Sequence, residues 1–202
     1  MLKNNTIGGW NMTIERILDY AHSLMKKTIR PGDAVIDGTC GNGHDTAFLA
    51  ELVREQGHVY AFDVQEQAIT NTQERLLEHG LANHTSLIHD SHAHVQKYLQ
   101  DKHQTNISAA IYNLGYLPGS DKSVVTKPEG TIQSVKNVLA TLKKGGLVVL
   151  VVYYGHPGGV EEKDAVMEYV SDLDSKHYQV LHYGFINKKR TPPFILAIEK
   201  LS

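Results

Sequence analysis

The residues with the clearest chemical potential lie in one glycine-rich stretch, Asp37-Gly38-Thr39-Cys40-Gly41-Asn42-Gly43-His44, and in an acid further on, Asp63. Glycines let a backbone take positive φ and let a ligand approach closely. A helix starting near His44 would set unpaired N–H groups beside the turn. A carboxylate at Asp63 can accept hydrogen bonds from both hydroxyls of a ribose. This is the pattern of a nucleotide site at the carboxyl ends of parallel strands.

Two ligands compete for such a turn. A dinucleotide site wants G-x-G-x-x-G, but Gly41-Asn42-Gly43-His44-Asp45-Thr46 has a threonine in the third place. The leading Asp37 would repel a pyrophosphate, whereas it suits the ammonium of a methionine moiety. S-adenosylmethionine is therefore favoured over NAD, with a ligand-free structural turn as the remaining alternative.

Three further stretches carry usable groups: His89-Asp90-Ser91-His92-Ala93-His94, Asn113-Leu114-Gly115-Tyr116-Leu117-Pro118-Gly119, and Tyr153-Tyr154-Gly155-His156-Pro157-Gly158-Gly159. The first has metal-ligating side chains, but its spacing matches no zinc motif, and no metal is expected. It ends a strand where a cofactor loop belongs. In the last, Tyr153 and Tyr154 could stack on bases, and His156 could donate a hydrogen bond or accept a proton. A glycine-rich cap for the next helix explains that stretch equally well. Lys188, Lys189 and Arg190 could hold phosphates, although basic loops are commonly just solvated.

Composition bounds these readings. The 202 residues fit one domain, 1–202, with 41% hydrophobic and 21% charged residues. A net charge of -2 excludes general electrostatic binding of nucleic acid, not a local basic patch. Cys40 is the single cysteine, so no internal disulfide or multi-cysteine zinc site forms. It also sits in the cofactor turn, where it cannot attack a pyrimidine ring, which favours transfer to nitrogen or oxygen over carbon. No apolar run reaches membrane-span length and the N-terminus lacks a secretory signal, so a cytoplasmic protein is expected.

These groups need a frame. Helical periodicity predicts helices over 13–21, with Thr13 as cap and Ile14, Ile17, Leu18 and Ala21 on one face, then over 44–54, 66–79, 93–99, 131–142 and 161–173. Strands are predicted over 34–37, 58–63, 85–89, 109–113, 146–153, 179–186 and 194–199. Such alternation predicts a mostly parallel seven-stranded sheet with helices on both faces and an antiparallel C-terminal hairpin. The segment 1–30 is expected to pack on the domain, its helix covered by the sheet or by a second copy in a homodimer.

The whole order resembles a Rossmann-like class I S-adenosylmethionine-dependent methyltransferase. The resemblance implies that Asp37, Gly38, Thr39, Gly41 and Gly43 hold the methionine end, that Asp63 holds the ribose, and that Val64, Gln65, Asp90, Ser91 and His92 surround the adenine. Asn42 and His44 line the cofactor in related small methyltransferases. Amine methyltransferases carry Asn-Pro-Pro-Tyr where this chain has Asn113 and Tyr116 without the prolines. This implies that Asn113 and the Leu114 carbonyl orient the acceptor, with Tyr116 and Pro118 packing on it. Together with Tyr154-Gly155-His156-Pro157-Gly158-Gly159 and Pro192-Pro193, these motifs resemble the MnmM (YtqB-type) tRNA methyltransferase family. That resemblance implies methylation of the aminomethyl group of 5-aminomethyl-2-thiouridine at the wobble position, with the tRNA anticodon stem-loop as partner and Tyr153, Tyr154, Lys188 and Arg190 on the RNA. Methylation of ribosomal RNA or a small molecule, a non-catalytic cofactor-binding module, and an NAD-dependent oxidoreductase remain the alternatives.

Overall fold

The computed structural model describes residues 6–7, 10–11, 13–115 and 125–202. Its frame is one seven-stranded sheet. The strands are β1 (Ala34–Asp37), β2 (His58–Asp63), β3 (Thr85–His89), β4 (Ile107–Leu114), β5 (Leu142–Val152), β6 (Tyr178–Tyr183) and β7 (Phe194–Lys200). Their spatial order is β3-β2-β1-β4-β5-β7-β6. The first five are parallel, while β7 runs antiparallel to both β5 and β6. The strand order reverses beside β1, so the turn after Asp37 sits at the switch point.

Side-chain alternation divides the core into two layers. Ile36, Tyr60, Phe62, Ala110, Tyr112, Val148 and Leu150 face one way, against Val135, Val138 and Leu139 of α4 (Pro128–Thr141) and Val166 and Val170 of α5 (Gly159–Ser171). Val35, Val59, Ala109, Ile111, Val149 and Val151 face the other, against α1 (Ile17–Thr28), α2 (His44–Val53) and α3 (Glu66–Glu78). Successive residues point to opposite faces of a strand, and a sheet covered on both sides needs apolar residues at every position. Hence β1 is buried throughout.

The first helix departs from expectation. It begins at Ile17, with Arg16 rather than Thr13 at the N-cap position and no side-chain capping bond. Its buried face is Ile17, Ala21 and Met25, while Ile14 and Leu18 are exposed. The i, i+4, i+8 spacing continues past Ala21, and Lys26 and Lys27 in the last turn suit the helix dipole. Helix α1 covers β4, β5 and β7 of its own sheet. Tyr20 stacks on Tyr183 at 4.1 Å, and the Tyr183 hydroxyl donates to the Glu15 carbonyl at 2.7 Å.

Other differences are of extent. The predicted helix at 93–99 is a short 3-10 segment, His92–Lys97, capped by Ser91. Strand β5 starts at Leu142 with a register irregularity opposite Ile107 and Ala109. Two two-residue strands, Thr6–Ile7 and Trp10–Asn11, pair upstream of α1.

Candidate active site

Asp37 ends β1 fully buried. One carboxylate oxygen accepts the Thr46 hydroxyl at 2.6 Å and the other the Thr39 N–H at 3.1 Å. Burial, and then the charge of Asp45, push its carboxyl well above the usual range. A buried acid of this kind gains from a cation beside it, as a methionine ammonium would be. Gly38 follows because no side chain fits there: a Cβ would overlap the Tyr112 ring. Gly43, at φ 75, caps α2, and its missing Cβ lets α2 meet the backbone of Thr72 on α3.

Asp63 ends β2 and completes the turn. Its carboxylate accepts the Gly41 N–H at 3.1 Å and the Gln65 N–H at 3.0 Å, and burial raises its pKa. Two accepted bonds leave lone pairs on a carboxylate for ribose hydroxyls. Val64 is exposed beside it, its carbonyl facing His89 at 3.0 Å. Asp90 is pulled down to about 2, first by the Tyr98 hydroxyl at 2.8 Å and also by His94 at 3.0 Å. The neighbouring His92 ring stands edge-on to Tyr112 at 5.5 Å. Its Nδ1 is buried with no hydrogen-bond partner among the described residues. Burial drives its pKa down to about 4. The buried acid, the glycine that excludes a side chain and the orphaned imidazole nitrogen fit a nucleoside with a cationic tail.

Asn42 and His44 reach side chains of α3. The Asn42 side chain accepts from Asn71 at 2.8 Å, and the His44 ring lies 3.4 Å from Arg75. Both line a polar hollow of about 350 Å³ with Glu74 and Glu78. Among the described residues no three His, Cys, Asp or Glu side chains are grouped to hold a metal ion.

Asn113 lies at the end of β4. Its backbone N–H donates to the Thr39 hydroxyl at 2.7 Å. Its side-chain amide donates to Asp45 at 2.6 Å, and the other Asp45 oxygen lies 2.6 Å from Nε2 of His22. Sequence reasoning missed Asp45 and His22. An acid in the first turn of a helix is ordinarily explained by the dipole, and a lone histidine on α1 has no local signal.

The acceptor loop is clamped at its base. The Thr126 hydroxyl accepts the Gly115 N–H at 3.0 Å and donates to Glu162 at 2.6 Å; Thr131 donates to the other Glu162 oxygen at 2.6 Å. Glu162 is buried, and it too was missed, since charged residues in a first helical turn read as exposed. The Leu114 carbonyl, expected to receive the acceptor amine, already accepts the Tyr153 N–H at 3.0 Å. Tyr116 and Pro118 lie outside the described residues.

His156 lies against the backbone of its own turn. Its Nε2 faces the Tyr153 carbonyl at 2.8 Å and its Nδ1 the Pro157 carbonyl at 3.0 Å. These contacts hold the ring against its own turn. Tyr153, half-buried with a raised pKa from burial and Asp45, packs against Gly115. Tyr154, Lys188 and Arg190 come together instead in a groove of about 420 Å³ with Lys163, His182 and Phe185.

Comparison with known proteins agrees with this geometry. A profile of the family described as "Putative rRNA methylase" matches residues 59–199. The chain belongs to this family. An Arabidopsis thaliana protein named tRNA (mnm(5)s(2)U34)-methyltransferase, chloroplastic, is 32% identical over 195 residues, or 92% of this chain and 70% of that protein. A Clostridium thermocellum structure of an rRNA methylase so described is 42% identical with a TM-score of 0.90, covering 94% of this chain and 100% of its own. A Streptococcus mutans methyltransferase, solved in complex with SAH, is 42% identical with a TM-score of 0.85 over the same shares.

Proposed function

We propose that the chain is an S-adenosylmethionine-dependent N-methyltransferase that acts on the aminomethyl group of 5-aminomethyl-2-thiouridine at the tRNA wobble position. The observation that carries the reading is the double tether of Asn113, whose backbone is held by Thr39 of the cofactor turn and whose amide is held by Asp45. A polar side chain fixed between a nucleoside-binding turn and an acceptor loop suits the orientation of an incoming amine. The tRNA methyltransferase name of the Arabidopsis relative supports the acceptor, and the SAH in the Streptococcus structure supports the cofactor.

S-adenosylmethionine, when bound, supplies an electrophilic methyl on a sulfonium. Asp37 would hold its ammonium and Asp63 its ribose, with Ser91 and His92 at the adenine end. The Asn113 carbonyl oxygen would accept an N–H of the neutral primary amine and aim its lone pair. Holding the partners in line supplies most of the rate in such a transfer. Tyr154, Lys188 and Arg190 would receive the unstacked bases and phosphates of an anticodon loop. No described helix is long and apolar enough to cross a membrane.

Mass spectrometry of tRNA nucleosides from a deletion strain tests the reading. Loss of 5-methylaminomethyl-2-thiouridine with accumulation of the unmethylated amine is expected. An unchanged profile, or loss of a methyl mark in ribosomal RNA instead, overturns it.

A further inference from the structure

We propose that Asp45, itself held by His22 of α1, is a positioning residue that fixes which way the Asn113 amide faces and so commits the acceptor site to a group that donates a hydrogen bond, as a primary amine does. The inference rests on the amine methyltransferase reading and adds two residues to it. An asparagine amide is nearly symmetric in shape, and its two orientations differ only in which end donates. Shape alone therefore does not decide whether Asn113 offers an acceptor a carbonyl oxygen or an NH2 group.

Asp45 decides it. An ionised carboxylate accepts and cannot donate, so the Asn113 NH2 must point to the Asp45 oxygen 2.6 Å away. The Asn113 oxygen is then left for the other side, where a hydrogen-bond donor such as an amine N–H would be bound and a bare oxygen or ring-nitrogen acceptor would not. A charged acceptor makes this a stronger bond than an amide pair would give.

His22 does the same for Asp45. Its Nε2 lies 2.6 Å from the second carboxylate oxygen. Its ring is stacked on Phe48 of α2, with centroids 4.0 Å apart and planes 16° from parallel. The Asp45 side chain is only 12% exposed and the His22 side chain 31%, so neither contact is a loose surface pair. With both oxygens engaged, rotation of the carboxylate would break two bonds at once. Helix α1 thus contributes to the acceptor site through His22.

Steady-state kinetics with S-adenosylmethionine and tRNA carrying the unmethylated amine test the inference on Asp45→Asn, His22→Phe and His22→Gln. Asp45→Asn keeps size but lets Asn113 flip; kcat should fall about tenfold or more, in the range that misorientation costs, while SAH affinity by calorimetry stays near the wild-type value. His22→Phe keeps the stack on Phe48 and loses the donor, so kcat should fall less; His22→Gln restores a donor and should recover most of it. Wild-type kcat in both Asp45→Asn and His22→Phe overturns the inference, as does a loss confined to SAH binding. Wild-type enzyme that leaves the tRNA unmethylated refutes the amine reading instead. A second measurement separates the two whatever the substrate. The side-chain amide resonance of Asn113, assigned by its loss in Asn113→Ala, should carry one strongly deshielded proton that moves on Asp45→Asn; an amide resonance indifferent to Asp45 overturns the inference by itself.

Discussion

The Asn113 backbone N–H donates to the Thr39 hydroxyl at 2.7 Å across 74 residues of sequence, joining the cofactor turn to the acceptor strand. Thr39→Val keeps the shape and removes the acceptor. Leaving a half-buried N–H unpaired costs about 1–3 kcal/mol, and the strand end that carries Asn113 is freed to shift. Turnover should fall by more than SAH affinity does. Asn113→Ala should behave alike and more severely, because the orienting group itself is gone. Unchanged turnover in Asn113→Ala would remove Asn113 from the acceptor site.

Glu162 predicts a joint loss of stability and RNA binding. It accepts hydroxyl bonds from Thr126 and the fully buried Thr131, and Thr126 also receives the Gly115 N–H. Glu162→Leu strands both hydroxyls, at about 1–3 kcal/mol for each group left unsatisfied. Urea unfolding should show the loss. The KM for tRNA should rise as well, since both ends of the acceptor loop lose their clamp. Glu162→Gln retains one accepting oxygen and should be milder in both respects. Equal stability of Glu162→Leu and wild type would contradict the clamp.

The sheet was legible because its strands are short apolar runs separated by turn residues, and burial on both faces leaves no other explanation for 34–37 or 58–63. The glycine turn was legible because its backbone demands are local. The first helix was misplaced because Thr13 imitates a cap while the true core face, Ile17, Ala21 and Met25, starts later. Asp45, His22 and Glu162 escaped because their roles exist only between elements: His22 meets Asp45 across 23 residues and Thr126 meets Glu162 across 36. The carbonyl contacts of His156 were illegible as well, because they depend on how the turn after β5 folds back on itself.

The groove beside Tyr154 should be felt by RNA and not by folding. Arg190 is held at φ 71, a left-handed conformation that disfavours side chains. Arg190→Gly relieves that strain, so thermal stability should hold or rise slightly. Affinity for the anticodon stem-loop should nonetheless drop. With Lys188→Ala, the slope of log affinity against log salt should lessen by about one for each phosphate no longer neutralised. An unaltered slope in both variants would return these side chains to the solvent.

Cys40 should be chemically silent. Burial pushes its thiol far up from the usual range, with the charge of Asp37 adding to the effect, and only the thiolate is nucleophilic. A thiol reagent such as Ellman's should therefore label the folded protein slowly and the urea-unfolded protein at once. Cys40→Ala should retain methyl transfer. Abolished transfer in a folded Cys40→Ala enzyme would favour a covalent mechanism over direct transfer to an amine.

His92 makes a prediction about acid stability whose sign must be worked against its neighbours. Its pKa falls to about 4 in the folded chain because burial disfavours the imidazolium, against about 6.5 when unfolded. Between those values the unfolded chain binds the extra proton, so the His92 contribution is whole above about pH 6.5 and is lost as pH falls toward 4. His58 and His103, also lowered by burial, act in the same direction. Asp37 and Asp63, raised by burial, act oppositely and favour the folded state as pH falls. Total stability against pH therefore mixes both signs, and the difference between wild type and His92→Phe isolates one group. Wild type should lose stability relative to His92→Phe on going from pH 7 to pH 4.5, as measured by urea unfolding at each pH. Bound SAH should change that difference, since the imidazole lies at the adenine end of the proposed cofactor site. A difference flat with pH would mean that His92 is as easily protonated folded as unfolded, and that its orphaned nitrogen meets water after all.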